Sequence, residues 1–241
     1  MNATSSQPFA LQGLDLSRVY GGFRALDGVA ISVPKGEVRG IIGPNGAGKS
    51  TLMDVLSGRA ASWGGTVRLG GRDIGALSPR ERRQAGLARS FQKTNVFAEL
   101  TIDEQIRLAA RSVEIDNSAE VLDKLELTAL RSRLAADISY GDRRRLDLAL
   151  ALVGRPQVLL LDEPAAGLTV EESLAMARLL RDLALEWQVT VLLVEHDMEV
   201  VFGISNRITV LHLGKVLAEG TPDEIRSNPV VVSAYLGSSV E

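Results

Sequence analysis

The stretch Gly43-Pro-Asn-Gly-Ala-Gly-Lys49-Ser50 matches GxxxxGK[ST], a pattern whose backbone wraps the phosphates of a nucleotide. The residues before it, Val38–Ile42, are predicted to form a short buried strand, and residues 51–56 begin a helix, which is the context the motif requires. Its glycines let backbone N–H groups point at phosphate oxygens, and the helix N-terminus adds a partial positive charge. The stretch therefore predicts a site for ATP or GTP in an α/β fold.

The loop and the first turn of its helix give the predicted phosphate-binding set. Lys49 is expected to reach the β- and γ-phosphates, and Ser50 to place its hydroxyl on Mg²⁺. An ordinary glycine-rich turn is the alternative, and the full eight-residue pattern in its strand–loop–helix context disfavours it. The predicted nucleotide contacts here are Gly43, Pro44, Asn45, Gly46, Ala47, Gly48, Lys49, Ser50 and Thr51.

Length, charge and composition narrow the class of protein. With 241 residues, 45% of them hydrophobic, the chain can form one large α/β domain, and a second nucleotide-binding domain would not fit. The net charge of -3 gives no basic surface of the kind that binds nucleic acid non-specifically, so nucleic acid is not an expected partner. The absence of cysteine excludes disulfides, cysteine-ligated zinc and iron–sulfur clusters.

Neither the N-terminal residues nor the apolar runs predict direct membrane insertion. Residues 1–8 lack a basic region and an apolar stretch, so they are expected to be a short disordered lead rather than a signal peptide. The longest apolar runs fall well short of the ~20 residues that span a bilayer. Membrane association is therefore expected only through a partner.

The patterning along the chain predicts one domain, residues 9–241, with three subdomains. Alternation and turn pairs indicate an antiparallel β subdomain at about 11–35 and 65–72. Uncharged apolar runs indicate buried parallel strands in a core of about 36–64, 73–94 and 155–222. Apolar residues at helix spacing indicate a helical subdomain inserted at about 95–154, and about 223–241 are left as a C-terminal tail.

A second motif places two carboxylates at the end of an apolar strand. Residues 158–161 deliver Asp162 and Glu163 to the carboxyl end of the sheet, where α/β folds bind their ligands. Asp162 is expected to hold the Mg²⁺ that bridges the phosphates, and Glu163 to polarise the attacking water as a base. A solvated acidic strand end is the alternative, which the nearby phosphate loop makes a minor one.

Three motifs together resemble those of ABC-transporter ATPase subunits. The phosphate loop, Ser139-Tyr-Gly-Asp142 and Leu161-Asp-Glu-Pro164 follow the family's order and spacing along nearly the whole chain. The resemblance implies a P-loop NTPase core of the RecA type, carrying an N-terminal antiparallel β subdomain and an inserted helical subdomain. It also implies that ATP and Mg²⁺ are the ligands, and that ATP hydrolysis is coupled to transmembrane transport.

Three further positions match single-residue motifs of the same family. Tyr20 stands where the family has an aromatic residue that stacks on adenine, although such residues are often plain core. Gln92 matches the Q-loop glutamine, which is expected to contact the metal and water while its loop moves the helical subdomain. His196 matches the switch histidine, which is expected to donate to the γ-phosphate or the water. His212 matches no motif and is expected to be a strand residue with a satisfied hydrogen bond.

Ser139-Tyr-Gly-Asp142 occupies the place of the family's signature and is expected to precede a helix at residues 143–153. In the family this element covers the nucleotide held by the other ATPase subunit, which makes Ser139 and Gly141 the expected contacts. Tyr140 and Asp142 depart from the usual Ser-Gly-Gly-Gln, and Thr169 replaces the common D-loop aspartate. The arginines at 143–145 are expected to be a solvated helix face rather than a phosphate or lipid patch.

Longer sequence segments resemble those of the ATPases of prokaryotic branched-chain amino acid importers and of related importers that carry urea, amides or aromatic acids. They are Asp162-Glu-Pro-Ala-Ala-Gly-Leu168, Glu195-His-Asp-Met198 and the tail beginning at Gly220. This likeness implies two permeases, an indirectly attached periplasmic binding protein and a second, different ATPase, with the chain peripheral at the cytoplasmic face of the inner membrane. Three alternatives stay open: a homodimeric exporter ATPase such as that of lipopolysaccharide transport, a soluble ABC-type ATPase acting on ribosomes or DNA, and a regulatory module without hydrolysis.

Overall fold

A computed structural model describes residues 9–90 and 96–236 of the chain. The strands are β1 Phe9–Tyr20, β2 Phe23–Pro34, β3 Val38–Ile42, β4 Gly64–Leu69, β5 Arg72–Asp73, β6 Leu87–Arg89, β7 Val158–Asp162, β8 Thr190–Val194, β9 Arg207–His212 and β10 Lys215–Gly220. The helices are α1 Lys49–Ser57, α2 Pro79–Gln84, α3 Ile102–Ala110, α4 Ser118–Lys124, α5 Tyr140–Leu152, α6 Val170–Glu186, α7 Met198–Ile204, α8 Pro222–Arg226 and α9 Pro229–Leu236. No helix within these two described ranges has both the length and the apolar character to cross a membrane.

The central sheet has six strands in the order β10-β9-β3-β8-β7-β6. Strands β9, β3, β8, β7 and β6 run parallel, and β10 pairs antiparallel with β9 at one edge. Every residue of β3 and β8 is buried, as expected of parallel strands covered on both faces. The carboxyl ends of β3, β7 and β8 therefore meet at the same edge of the sheet.

A second, antiparallel sheet has the order β2-β1-β4-β5. Strands β1 and β2 form a hairpin in which Tyr20 pairs with Phe23 across the turn of Gly21 and Gly22. Both glycines have positive φ, +50° and +92°, which explains the two-glycine sequence of this turn. The hairpin brings Tyr20 to the end of this sheet that faces the phosphate loop.

Two large apolar cores lie on either side of the central sheet. One is formed by α3, α4, α5 and α6 with one face of the parallel strands, and the other by α1, the antiparallel sheet and the opposite face. The predicted fold class, a P-loop NTPase core with an antiparallel β subdomain and a helical insertion, is confirmed. The residue boundaries assigned to the subdomains stay a prediction.

Helix α5 begins at Tyr140, three residues earlier than predicted. The reason is local, because the Ser139 hydroxyl accepts a hydrogen bond from the backbone N–H of Asp142 (3.0 Å) and so caps the helix. Tyr140 and Gly141 consequently lie in the first turn of the helix rather than in the loop before it.

Candidate nucleotide site

The phosphate loop follows β3 and needs its glycines for space as well as for conformation. A Cβ atom on Gly43 would lie 2.2 Å from the Leu211 carbonyl oxygen, and one on Gly48 would lie 2.5 Å from that of Ala25. Gly46 and Gly48 also have left-handed backbones, with φ of +77° and +105°. The loop is thus held against β2 and β9 in a conformation that turns its N–H groups inward.

Lys49 folds back over this loop from the first turn of α1. Its Nζ donates to the carbonyl oxygens of Gly43 (2.6 Å) and Pro44 (3.1 Å). Burial lowers the pKa of Lys49, while the nearby carboxylates of Glu163 and Asp162 act in the opposite direction. The ammonium group is therefore positioned among the loop carbonyls and the strand-end carboxylates, where a phosphate chain would compete for it.

A cleft of about 310 Å³ joins the predicted base, phosphate and catalytic positions. Three distant parts of the chain line it: the tip of the β1–β2 hairpin, the phosphate loop, and the segments after β7 and β8. The lining residues are Tyr20, Phe23, Ala25, Asn45, Gly46, Ala47, Gly48, Lys49, Ser50, Thr51, Glu163 and His196. The structure thus brings together most of the residues that the sequence predicts for one nucleotide site.

At the base end of the cleft, Tyr20 is half-exposed, and the guanidinium of Arg18 lies 4.5 Å from its ring centroid. Arg18 therefore covers one face of the ring by a cation–π contact. Phe23, paired with Tyr20 across the hairpin, is 57% exposed and lines the same cleft. Sequence analysis missed Phe23, although the signal was present as two aromatic residues flanking a two-glycine turn.

Glu163 and His196 face each other across the cleft. The Nε2 atom of His196 lies 2.9 Å from Oε1 of Glu163, within hydrogen-bonding distance. Glu163 has a left-handed backbone (φ +51°), and its N–H donates to the Val194 carbonyl oxygen of β8 (2.8 Å). This backbone turn directs the Glu163 side chain away from the line of β7 and toward His196.

Asp162, the last residue of β7, is held by Arg89 of β6. Arg89 pairs with Asp162 (3.2 Å) and with Asp54 of α1 (2.6 Å). Burial raises the pKa of Asp162, and Arg89 opposes that rise by its charge and its hydrogen bond. Sequence analysis did not find Arg89, because its position at the end of the neighbouring strand becomes visible only once the strand order is known.

Glu195 is a second residue that sequence analysis missed. It is 4% exposed and accepts the N–H groups of Ala165 (2.7 Å) and His196 (3.1 Å), so it ties the end of β8 to the turn after β7. Burial raises the pKa of its carboxyl. The signal in the sequence was a charged residue placed directly between a buried strand and His196.

The residues of the signature lie elsewhere. Neither Ser139 nor Gly141 is among the described residues that line the cleft. Ser139 is exposed at the N-terminus of α5, where its hydroxyl donates to the Asp142 carboxylate (2.7 Å). The same chain thus presents the phosphate loop on one surface and the signature on another.

Two expectations were wrong. The arginines at 143–145 are not a uniformly solvated face: Arg144 is 5% exposed, because it packs on the Tyr140 ring and donates to the carbonyl oxygen of Ala166 (2.9 Å) in the turn after β7. His212 is the last residue of β9, as predicted, but its buried Nδ1 atom has no hydrogen-bond partner within residues 9–90 and 96–236. Gln92 lies outside the described residues.

The oxygen donors at the site fit Mg²⁺. Ser50 offers a hydroxyl in the first turn of α1, and Asp162 a carboxylate that is mostly buried. Mg²⁺ in nucleotide sites uses one or two such protein oxygens together with phosphates and water, rather than a cage of side chains. Consistently, the described residues contain no cluster of three or more His, Cys, Asp or Glu side chains arranged to hold a metal.

The fold and the cleft define a P-loop nucleoside triphosphatase, with an acid–histidine pair beside the phosphate loop. Residues 26–166 match the ABC transporter family, and residues 215–241 match the branched-chain amino acid ATP-binding cassette transporter family. The chain therefore belongs to the ABC transporter family, as one of its ATP-binding, ATP-hydrolysing subunits.

Individual relatives agree over nearly the full length. The chain is 38% identical to the high-affinity branched-chain amino acid transport ATP-binding protein LivG of Salmonella typhimurium, over 97% of this chain and 100% of that protein. It is 37% identical to BraF of Pseudomonas aeruginosa, a protein of the same description, over 93% of this chain and 96% of the relative. A nucleotide-free ATP-binding cassette superposes with a TM-score of 0.86 at 28% identity, covering 94% of this chain and 98% of that one. Another cassette, in its ADP conformation, gives 0.85 at 30% identity, with coverages of 95% and 99%.

Proposed function

We propose that the chain powers an importer of branched-chain amino acids or related small polar solutes. The observation that carries the hydrolytic part is the Glu163–His196 contact of 2.9 Å, in the cleft that also holds the phosphate loop. The solute class is supported by the match of residues 215–241 and by the two full-length relatives. No solute contact is expected from this chain itself.

In the proposed reaction, the loop from Gly43 to Thr51 binds the phosphates of ATP, and Tyr20 stacks on the adenine. Glu163 accepts a proton from the water whose oxygen attacks the γ-phosphorus. The bond between the γ-phosphorus and the β–γ bridging oxygen breaks, and ADP leaves with that oxygen. His196 contacts Glu163 through Nε2 (2.9 Å), and with ATP bound the N–H at this atom would donate to the γ-phosphate or to the water. Bound Mg²⁺ would neutralise developing charge on the phosphates, held by Ser50, Asp162 and Gln92.

The proposed assembly contains two ATPase subunits, because the signature lies outside the cleft of its own chain. In this assembly Ser139 and Gly141 would cover the nucleotide of the second subunit, which we propose is a different chain. Two permeases would carry the motion across the inner membrane, with this chain on its cytoplasmic face. A periplasmic solute-binding protein would act on the outer side without contacting the ATPases.

Purification of the complex tests this proposal. Tagged Glu163→Gln chain is isolated from detergent-solubilised source membranes in ATP, because loss of the base should trap the closed dimer. We expect two apolar permeases and a second, different ATPase. A self-paired complex with export-type membrane proteins, or ribosomal or DNA-bound partners, would contradict the importer.

A further inference from the structure

Tyr140 and Arg144, one turn apart on α5, bind the same main-chain oxygen in the ATPase core. The Tyr140 hydroxyl donates to the Ala166 carbonyl oxygen (3.0 Å), and Nη2 of Arg144 donates to the same atom (2.9 Å). Nε of Arg144 also donates to the Tyr140 hydroxyl oxygen (3.1 Å). The three groups form a closed ring of hydrogen bonds, which we name the Tyr140 tether.

The packing around the tether is specific. Arg144 is buried, and its guanidinium carbon lies 5.3 Å from the Tyr140 ring centroid. Gly167 has a left-handed backbone (φ +79°), and a Cβ atom there would lie 3.1 Å from the Tyr140 ring. The turn after β7 is thus shaped to accept this ring, although Tyr140 itself is 43% exposed. The charged guanidinium of Arg144 is the stronger of the two donors to Ala166.

The acceptor lies in the segment that follows the catalytic carboxylates. Ala166 is three residues after Glu163, and the preceding residue, Ala165, donates its N–H to Glu195 (2.7 Å). Glu195 also accepts the N–H of His196 (3.1 Å). A continuous set of hydrogen bonds therefore runs from the loops carrying Glu163 and His196 to the first turn of α5.

We infer that Tyr140 and Arg144 are positioning residues that carry movement of the turn at residues 163–167 to the signature at the start of α5. That first turn includes Gly141 and is capped by Ser139, the residues proposed to contact the other subunit's nucleotide. The occupancy of this chain's own site thereby sets where it presents its signature. Glycine, the usual family residue at the position of Tyr140, has no side chain to make this link.

Hydrogen exchange of the full-length single chain tests the tether. Exchange is measured with and without saturating Mg²⁺–ADP, in a peptide covering residues 163–168 and in one covering 139–146. In the wild type, ADP is expected to slow exchange by about threefold or more in both peptides. Tyr140→Phe removes one hydroxyl, so the response at 163–168 should persist while that at 139–146 falls to less than about half.

Two arginine variants give a matched comparison. Arg144→Met should abolish the response at 139–146, whereas Arg145→Met should keep it, because the Arg145 guanidinium pairs with Glu126 (2.9 Å) instead of Ala166. If Arg144→Met does not fold, Tyr140→Phe alone decides. An equal response of the 139–146 peptide in wild type and Tyr140→Phe, or no response in the wild type, overturns the inference.

The functional meaning of the tether rests on the two-subunit arrangement proposed above, but its test does not. A complex with unexpected partners would overturn the importer and leave the exchange response unchanged. Absence of the ADP response at 139–146 in the wild type, or its full retention in Tyr140→Phe, would overturn the tether and leave the importer standing.

Discussion

Two adjacent carboxylates, Asp162 and Glu163, are directed to different partners by the backbone between them. Asp162 ends β7 in extended conformation and pairs with Arg89, whereas the left-handed backbone of Glu163 turns its side chain to His196. Burial raises the pKa of Asp162, and the Arg89 guanidinium opposes that rise by favouring the ionised carboxylate. Glu163 instead lies in the open cleft, where it can take a proton from water.

Replacing Glu163 with glutamine should separate binding from hydrolysis. The substitution keeps size and a hydrogen-bond acceptor and removes the base, so turnover should fall by about 10²- to 10⁴-fold. Nucleotide affinity should stay within about twofold, because the phosphate loop is unchanged. Phosphate release and nucleotide titration measure the two quantities. Glu171→Gln, at an exposed carboxylate on α6, is the matched control, and near-normal turnover of Glu163→Gln would remove Glu163 from the role of base.

The buried carboxyl of Glu195 should make stability depend on pH. Burial raises its pKa above the ordinary 4.5, so the folded state binds the proton more tightly than the unfolded state. Burial of this carboxyl therefore does not lower the free energy of unfolding at pH values below the ordinary pKa, where the group is protonated in both states. It lowers the free energy of unfolding most above the raised pKa, where the folded state holds an ionised, buried carboxylate. Glu195→Gln cannot ionise, so its free energy of unfolding, relative to that of wild type, should rise as the pH increases above 4.5. Denaturant titrations at several pH values measure this difference, and a flat or falling difference would contradict the assignment.

The sequence predicts as site residues those that a motif fixes by itself, such as Lys49, Asp162 and Glu163, and the structure places Lys49 and Glu163 in one cleft. Each of these residues belongs to a motif that is continuous along one strand or loop, so its proposed role can be predicted without knowing the fold. Arg89 and Glu195 could not be predicted in the same way. Each acts on a residue from another segment, so its role depends on which strands and turns become neighbours in the sheet.

At the scale of elements, the local sequence determines where four helices begin. Helices α2, α3, α6 and α8 each begin with a complete capping box, in which a Ser or Thr and the Glu three residues later exchange hydrogen bonds. The pattern [ST]-x-x-E is visible in the sequence alone. Helix α5 lacks the complete box, because Asp142 stands where the box would have Glu, but the Ser139 hydroxyl still caps the helix.

Thr169 departs from the family pattern but keeps a local structural role as a helix cap. It occupies the D-loop position where aspartate is common, and it is the N-cap of α6, with its hydroxyl and N–H bound to Glu172 (3.0 and 2.9 Å). Thr169→Ala should cost about 1 kcal/mol, which lowers the melting temperature by about 2–4 °C. Thr169→Asp should retain most of the stability, because aspartate is also a good N-cap. Calorimetry compares the two variants, and equal losses would show that the cap contributes little.

A buried arginine binds carbonyl groups near the C-terminus of α1, the helix that follows the phosphate loop. Arg82 of α2 is 1% exposed and donates from Nη1 to the carbonyl oxygens of Val55 (2.8 Å) and Leu56 (2.7 Å) near the end of α1. Arg82→Met keeps the bulk and leaves these carbonyls without their donor, so it should destabilise the fold by about 3 kcal/mol. Arg80→Met, on the exposed side of the same helix, is the control. Equal unfolding midpoints for both variants in urea would contradict this role.

For the whole molecule, the nucleotide cleft depends on strand order more than on chain order. Strand β3 lies between β8 and β9, which follow it by about 150 residues, so the phosphate loop meets Glu163 and His196 only in the folded sheet. Apolar runs predicted which strands are buried, but periodicity carries no information on which strands are neighbours. The resemblance of the motifs to those of a known family implied the fold class, and the observed sheet confirms that fold class.

The separation of the signature from the cleft leads to a prediction about the assembled dimer. Gly141→Asp would place a carboxylate beside the expected position of the second subunit's γ-phosphate, and like charges there should oppose closure. Nucleotide affinity of the single chain should stay within about twofold, because its own phosphate loop is untouched, while turnover of the assembled complex should fall about tenfold or more. Gly203→Asp, on α7 with open space around the glycine, controls for an added charge. Because a Cβ atom at Gly141 would lie 2.9 Å from Oε1 of Glu172 in the same chain, Gly141→Asn is the second control, which adds the bulk without the charge. Normal turnover in the Gly141→Asp complex would mean that this face does not serve the second nucleotide, and a matching loss of affinity in the single chain would mean that the substitution disturbs its own site.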